Sequence, residues 1–438
     1  MEPAFLAPGR AWEAARTPRQ RKRLGQWLTP WWLVEAVLDE VGGPPDSVLD
    51  PACGDGRWLV AAGRRWPGAR LEGWDVDPSA VDAAREVCAA AGVAVRLRCR
   101  DALEGQEQGV AELVVGNPPY VRPQAMPAAQ RARVWARYAT ATDKSDLYAP
   151  FIERMLALSG GRVAVVVADT WLSMASFAAL RRCVLDAPLD LLAGLPRDSF
   201  GAEVGTVAVV FRPEARRRRG HLSSEGLALN GAVRAVDGLL PLEDPVELEG
   251  QGTLGERWAL RMGVVCGSYA EWVHRGTPGA GDRRTCRGRD VHRWSIVDRG
   301  EWVRYDPRAM LDARPYVAPK WAGLFDVPAK VVLAGASGRV LRASVDTERR
   351  FPLDSCYVSQ GEGDVWALCG LLNSAPVNAW YGARFPAVRV KAVELHRLPW
   401  PRGPLVELAE AARGGDQGDV DRAAARAYGL PTGLCADR

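Results

Sequence analysis

The residues with the plainest chemical meaning are Gly116-Asn117-Pro118-Pro119-Tyr120. Two consecutive prolines stiffen the backbone after Asn117, so its side-chain oxygen and the Pro118 carbonyl can face one pocket as a pair of acceptors. An exocyclic amine donating to both keeps its lone pair aimed at an electrophilic methyl group. Transfer can then run in line without a strong base. Tyr120 adds an aromatic face on which a planar base can stack.

A second cluster lies upstream, where Val48-Leu49 runs into Asp50-Pro51-Ala52-Cys53-Gly54-Asp55-Gly56. Gly54 and Gly56 allow backbone to come close to a ligand, and a following helix would present free N–H groups to it. About 20 residues further on, Gly73-Trp74-Asp75-Val76-Asp77-Pro78 ends a strand in carboxylates, where a ribose hydroxyl pair would be held. The glycine spacing is not the G-x-G-x-x-G of a dinucleotide site. A nucleoside cofactor without a pyrophosphate fits better, and S-adenosylmethionine is the common one. Asp101, in Cys99-Arg100-Asp101-Ala102, has two readings: a partner for the adenine amine, or a turn or helix cap.

These residues need a scaffold, and the pattern around them supplies one. Strands are expected at 48–50, 71–75, 93–97, 111–115, 162–168, 189–195 and 204–211, with helices over 57–66, 80–91 and 147–158. Strands alternating with helices predict a doubly wound α/β domain with a parallel sheet covered on both faces. Both motifs then sit at carboxyl ends of strands, where such sheets bind ligands. Residues 1–23, with Arg10, Arg16, Arg19, Arg21, Lys22 and Arg23, read as a basic arm, 24–211 as the catalytic domain, and 212–250 as a linker opened by Arg216 to Arg219. The rest, 251–438, has mixed strand-like and helical pieces and reads as an α+β domain.

Composition narrows the class. The chain has 438 residues, 47% hydrophobic and 25% charged, with a net charge of +4. That is globular composition of two or three domains. The charge is uneven: residues 1–211 carry −1, 212–438 carry +5, and the window 283–350 alone +7. A basic second half suits a phosphate-bearing partner or a solvated face. The nine cysteines include no Cys-x-x-Cys pair, so neither a zinc site nor a disulfide framework is expected. No signal peptide or membrane span is recognisable, and a cytoplasmic protein is expected. None of the cysteines follows a proline, which excludes the Pro-Cys nucleophile of cytosine-C5 chemistry. No acidic-x-Lys triplet occurs either, so any endonuclease is expected on a separate polypeptide.

The order of the two motifs resembles the TaqI-like, gamma-class adenine-N6 DNA methyltransferases of restriction-modification systems. Leu24-Gly25-Gln26-Trp27-Leu28-Thr29-Pro30 is similar to that family's N-terminal motif, and Asp146-Leu147-Tyr148-Ala149-Pro150-Phe151 to a helix lining the same site. Cys286-Arg287-Gly288-Arg289-Asp290-Val291-His292-Arg293-Trp294 resembles a string of the family's target-recognition domain. Leu371-Leu372-Asn373-Ser374, Arg389-Val390-Lys391 and Leu398-Pro399-Trp400-Pro401 resemble that domain's end. The resemblance implies a Rossmann-like S-adenosylmethionine-dependent methyltransferase domain followed by an α+β DNA-recognition domain. The implied cofactor residues are Thr29, Pro30, Asp50, Pro51, Ala52, Cys53, Gly54, Gly56, Asp75, Asp77 and Asp101. Asn117, Pro118, Pro119 and Tyr120 would form the catalytic loop, and Phe200, in Asp198-Ser199-Phe200-Gly201, would pack against a flipped base opposite Tyr120. Arg287, Arg289, His292, Arg293 and Lys391 would meet DNA. Two departures stand out, Arg100 before Asp101 and Asp75 where the family commonly has Glu. The alternatives are cytosine-N4 transfer, which uses nearly the same loop, and a non-catalytic DNA-recognition subunit of a defence complex.

Overall fold

Short aliphatic runs such as Val48-Leu49, Leu113-Val114-Val115 and Val163 to Val167 are long enough for one sheet crossing each, and they form the buried centre of a nine-stranded sheet. The computed structural model describes residues 2–431 except 18–19, 22–23, 143, 197, 201–204, 237, 245, 315, 337–339 and 386–388. The chain divides into two units, Met1–Asp244 and Pro245–Arg438.

In the first unit the strands are β1 (Ser47–Asp50), β2 (Arg70–Asp75), β3 (Arg96–Cys99), β4 (Ala111–Gly116), β5 (Ser159–Ala168), β6 (Leu189–Gly194), β7 (Thr206–Phe211), β8 (Arg218–Ser223) and β9 (Gly226–Ala232). Their order is β3-β2-β1-β4-β5-β7-β6-β8-β9. Strands β1 to β5 pair in parallel, as the alternating pattern predicts. The expected all-parallel sheet fails beyond them, because β7 inserts antiparallel between β5 and β6. Only eleven residues separate β6 from β7, below the dozen or so that a parallel crossover takes. The result is a Rossmann-like sheet with an antiparallel strand set into it.

Helices α1 (Ala7–Ala14), α2 (Trp31–Asp39), α3 (Arg57–Arg65), α4 (Pro78–Ala90), α5 (Ala128–Arg137), α6 (Tyr148–Leu158) and α7 (Ala178–Asp186) cover the sheet and its edges. One core joins Val34, Val37, Trp58 and Leu59 to the α2 and α3 side of the sheet. The other joins Tyr148, Phe151 and Ile152 of α6 to Val165, Val167 and Trp171.

Two expected boundaries change. The supposed arm is folded: Leu6 is fully buried with Val60, Val87 and Cys88, and α1 follows it directly. The supposed linker forms β8 and β9, and its Arg212, Arg218 and Arg219 are paired with carboxylates, while Arg216 and Arg217 are exposed. Asp190, fully buried on β6, accepts from Arg218 at 2.7 Å and from the Arg216 backbone at 2.9 Å, and it pairs with Arg212 at 2.8 Å. These cations hold its carboxyl below the ordinary range despite burial. Arg219, 1% exposed, pairs with Asp244 at 2.6 Å. A charge run has no periodicity, so sequence alone cannot show the buried carboxylate that recruits it.

The second unit is α+β. A four-stranded antiparallel sheet runs β10 (Trp258–Met262), β18 (Cys356–Gly361), β16 (Lys330–Ala334), β17 (Ala343–Asp346), where the numbers keep chain order through β11 (Val273–Arg275), β12 (Asp282–Arg284), β13 (Val291–His292), β14 (Ser295–Ile296) and β15 (Glu301–Arg304). Helices over Val365–Asn373, Ala375–Arg384, Val406–Gly414 and Gln417–Ala427 follow it. Among the described residues no helix is long and apolar enough to cross a membrane.

Candidate active site

The strand order reverses direction between β1 and β4, and a doubly wound sheet opens its crevice at such a point. Asp50 ends β1 and Gly116-Asn117 ends β4 at that crevice. A cavity of about 360 Å3 lies there, lined by Pro51, Ala52, Gly54, Asp75, Asp101, Asn117 and Pro119, with apolar walls that include Leu103, Met126, Leu147 and Phe151. Two motifs distant in sequence thus share one pocket. Its volume and its few convergent polar groups are those of a small-molecule site.

The turn after β1 is built around carboxylates. Asp50, 1% exposed, accepts the Ala52 N–H at 3.0 Å and lies behind the cavity wall; burial pushes its pKa well above the usual range. Gly116 sits at φ +150°, and a Cβ there would stand 2.7 Å from Asp50 Oδ1. The close approach of β4 to Asp50 therefore needs glycine. Asp75 accepts the Gly54 N–H through Oδ2 and the Asp77 N–H through Oδ1, each at 2.9 Å. It faces the cavity, and burial raises its pKa to about 6. Asp101 also faces the cavity while accepting the Leu103 N–H at 2.9 Å, so the ligand and turn readings both describe it.

Other expected cofactor residues support the pocket from outside it. Cys53 is buried with its N–H on the Trp74 carbonyl at 2.8 Å, and Gly56, at φ +80°, starts α3. Thr29 Oγ1 accepts from Trp58 Nε1 at 3.3 Å, and its carbonyl accepts from Arg57. Pro30 precedes α2. Asp77 caps α4 and bonds Gln26 Nε2 at 3.0 Å, besides pairing with Arg16, and these donors hold its carboxyl below the ordinary range. None of the five lines the cavity. Residues absent from the expectation do line it: Trp12, Gln26, Trp27, Arg100 and Gln130. Gln26 and Trp27 stand inside the upstream motif, which was a legible signal; Trp12, on α1, carried none.

Asn117 is the centre of the arrangement. Its Nδ2 donates to the Trp27 carbonyl at 2.9 Å, which leaves Oδ1 as the free end of the amide. That oxygen is buried and has no hydrogen-bond partner. A buried orphan acceptor costs about 1–3 kcal/mol, and this one belongs to a residue that lines the pocket, so a donor reaching it would relieve that cost. Pro118 is buried behind it. The two expected stacking aromatics are not brought together. Tyr120 does not line the cavity: its hydroxyl donates to the Val166 carbonyl at 3.4 Å and its ring packs 5.9 Å from Tyr148. Phe200 is half-buried against the α2 and α3 core instead, and the rest of its loop, 201–204, lies outside the described residues. An aromatic beside a loop has more apolar surface to gain from a core than from an open pocket, a competition sequence does not resolve.

S-adenosylmethionine fits these residues. Asp75 stands where a diol can donate, the apolar walls suit an adenine, and Ala52 and Gly54 keep the turn free of bulky side chains.

The expected DNA residues of the second unit separate into two kinds. Arg287 pairs with Glu301 at 2.9 Å and lies 4.5 Å over the Tyr269 ring, while its N–H donates to Asp290 at 2.8 Å. Lys391 is tied to Glu394 at 3.0 Å. These two serve the fold, because the buried carboxylates beside them require cations. Arg289 makes only long ion pairs, 3.6 Å to Glu301 and 3.7 Å to Asp290, and its side chain is 56% exposed; His292 is exposed and Arg293 half-buried.

The comparisons agree with this picture. Residues 74–188, which contain Asp75, Asp101 and Asn117 to Tyr120, match the Eco57I restriction-modification methylase family. The type II methyltransferase M.PaeR7I of Pseudomonas aeruginosa is 34% identical over 213 residues, covering 40% of this chain and 37% of that protein. M.XamI of Xanthomonas campestris pv. amaranthicola is 26% identical over 423 residues, covering 87% of this chain and 77% of that one. The chain thus aligns with little more than a third of the first relative and about three quarters of the second. Among solved structures, the type IIL restriction-modification enzyme MmeI in complex with DNA matches at a TM-score of 0.68 and 13% identity, over 97% of this chain and 79% of that one, and shares the fold. The motif-based resemblance to restriction-modification methylases holds.

Proposed function

We propose that the chain is a site-specific DNA methyltransferase that moves a methyl group from S-adenosylmethionine to the N6 amine of an adenine rotated out of double-stranded DNA, within a restriction-modification or related phage-defence system. The observation that carries this reading is the Asn117 amide, fixed by the Trp27 carbonyl with its oxygen buried and unpartnered beside the pocket. The kinds of relative it matches, type II methyltransferases, support the substrate class.

When bound, S-adenosylmethionine supplies an electrophilic methyl group. Asp75 accepts from the cofactor's ribose and so sets its depth in the pocket. Oδ1 of Asn117 and the carbonyl of Pro118 accept the two hydrogens of the target amine, which turns the nitrogen lone pair toward the methyl carbon. As the new N–C bond forms, the bond from the methyl carbon to sulfur would break with its electron pair left on sulfur; positive charge develops on the nitrogen, and the same two dipoles stabilise it with no reorganisation. The resulting ammonium is acidic enough to release its proton to water. Exposed Arg289 and His292 of the second unit are the proposed DNA contacts, and a separate endonuclease or defence subunit the proposed partner.

The test is direct. Duplex DNA is incubated with the protein and S-adenosylmethionine labelled in the methyl group, then digested to nucleosides. Label in N6-methyladenine supports the reading, label in N4-methylcytosine replaces the base assignment, and unlabelled DNA overturns the activity.

A further inference from the structure

The N-terminal helix α1 makes contacts that its own stability does not require. Gly9 is buried, and a Cβ there would stand 2.2 Å from Asp55 Oδ2, so the helix lies directly on the turn that follows β1. The next helical turn puts Trp12 into the wall of the pocket that Asp75 and Val76 also line. Trp12 Nε1 donates to Ser79 Oγ at 3.3 Å, and the Arg16 guanidinium lies 3.9 Å over its ring.

Arg16 closes a ring of polar contacts. Its Nη2 pairs with Asp77 and donates to Ser79 Oγ at 2.6 Å, and its Nε donates to Gln26 Oε1 at 3.0 Å. Gln26 in turn donates to Asp77 at 3.0 Å. Three segments meet there: α1, the stretch holding Gln26 and Trp27, and the loop between β2 and α4. Trp12, Gln26 and Trp27 all face the same cavity.

We infer that Trp12 is a cofactor-binding residue, an aromatic wall for the nucleoside end of S-adenosylmethionine, held in place by the Arg16–Asp77–Gln26 ring. The inference rests on the S-adenosylmethionine reading of the pocket. An indole in the wall of the pocket that Asp75 also lines offers a planar nucleoside a stacking surface, and the Arg16 guanidinium over its ring fixes the ring's orientation. Arg16 and Asp77 act as positioning residues, because they reach the ligand only through Trp12 and Gln26.

The experiment compares full-length wild type with Trp12→Ala, Trp12→Phe and Arg16→Gln by calorimetric titration. The probes are S-adenosylmethionine, S-adenosylhomocysteine and 5′-methylthioadenosine, which lacks the amino-acid moiety. Trp12→Ala should weaken all three by on the order of tenfold, the usual effect of removing an aromatic from a base. Trp12→Phe should restore most of that loss, and Arg16→Gln should give a smaller loss than Trp12→Ala. Weakened binding of the two sulfur amino acids with 5′-methylthioadenosine unchanged would overturn the inference, as would unchanged affinity for all three. Should wild type bind none of the probes, the cofactor reading itself fails. A thermal melt of each variant without ligand identifies any that has failed to fold, and Trp12→Phe then carries the comparison: equal affinity to wild type supports stacking, and a loss as large as that expected of Trp12→Ala overturns it.

Discussion

Lowering the pH should weaken cofactor binding through Asp75, and the structure sets the scale. The carboxylate is 9% exposed and burial raises its pKa to about 6, against the pull of N–H donors from Gly54 and Asp77. A ribose hydroxyl donates to the ionised form, so binding competes with protonation. The affinity of wild type should therefore be flat above about pH 7 and fall by about tenfold on going to pH 5, since one unit below the pKa only about a tenth of the sites are ionised. The sign for stability without ligand is opposite. A carboxyl whose folded pKa lies above its unfolded 3.8 favours the native state most at low pH, and that contribution is lost as pH rises through about 6. Titration of S-adenosylhomocysteine across pH 5 to 8 measures the first effect, with Asp75→Asn as the variant whose profile should lose the step. A wild-type affinity that stays constant between pH 5 and 7.5 would refute the argument, because either the carboxyl does not titrate there or the ligand does not use it.

Four further outcomes follow from the structure. Asn117→Ala should lower single-turnover methyl transfer by about 10²- to 10³-fold, the scale for one preorganised dipole, while calorimetry finds cofactor affinity nearly unchanged; retained transfer contradicts its role. Gly116→Ala must move either Asp50 or the Asn117 loop, given the 2.7 Å approach, and should lower melting stability and transfer together by about 1–3 kcal/mol each; a variant as stable as wild type refutes the steric account. Arg289→Ala should weaken DNA binding in a fluorescence anisotropy titration by about 1–3 kcal/mol at little cost in stability. Arg287→Ala should instead lower the melting temperature, by removing the arginine nearest to buried Glu301, whose other partners Arg275 and Arg289 stand at 3.2 and 3.6 Å, and the cation over the Tyr269 ring; the reverse pattern would overturn the division between them.

The placement of much of the candidate site is legible in the sequence. The Asn117 loop and the Asp50 to Gly56 turn are rigid local motifs whose conformation depends on proline and glycine within the motif itself, so their chemistry could be read residue by residue. Asp75 was legible for the same reason, as the end of a strand of fixed length. The fates of Asp77, Tyr120, Phe200 and Arg287 were not. Each is a side chain with two plausible environments, a ligand or a neighbour, and the neighbour lies far away in the chain: Arg16 for Asp77, Val166 for Tyr120, Glu301 for Arg287.

The amino-acid string alone determined an α/β scaffold, the two motifs at its strand ends and the chemistry they imply, because periodicity and turn residues act over a few positions. Only the tertiary structure decided that 218–232 extend the sheet, that α1 closes on the pocket and that Trp12 belongs to it. Those outcomes depend on buried charges such as Asp190 finding partners and on apolar residues such as Leu6 finding a core, and both are settled by packing between residues that sequence does not place together.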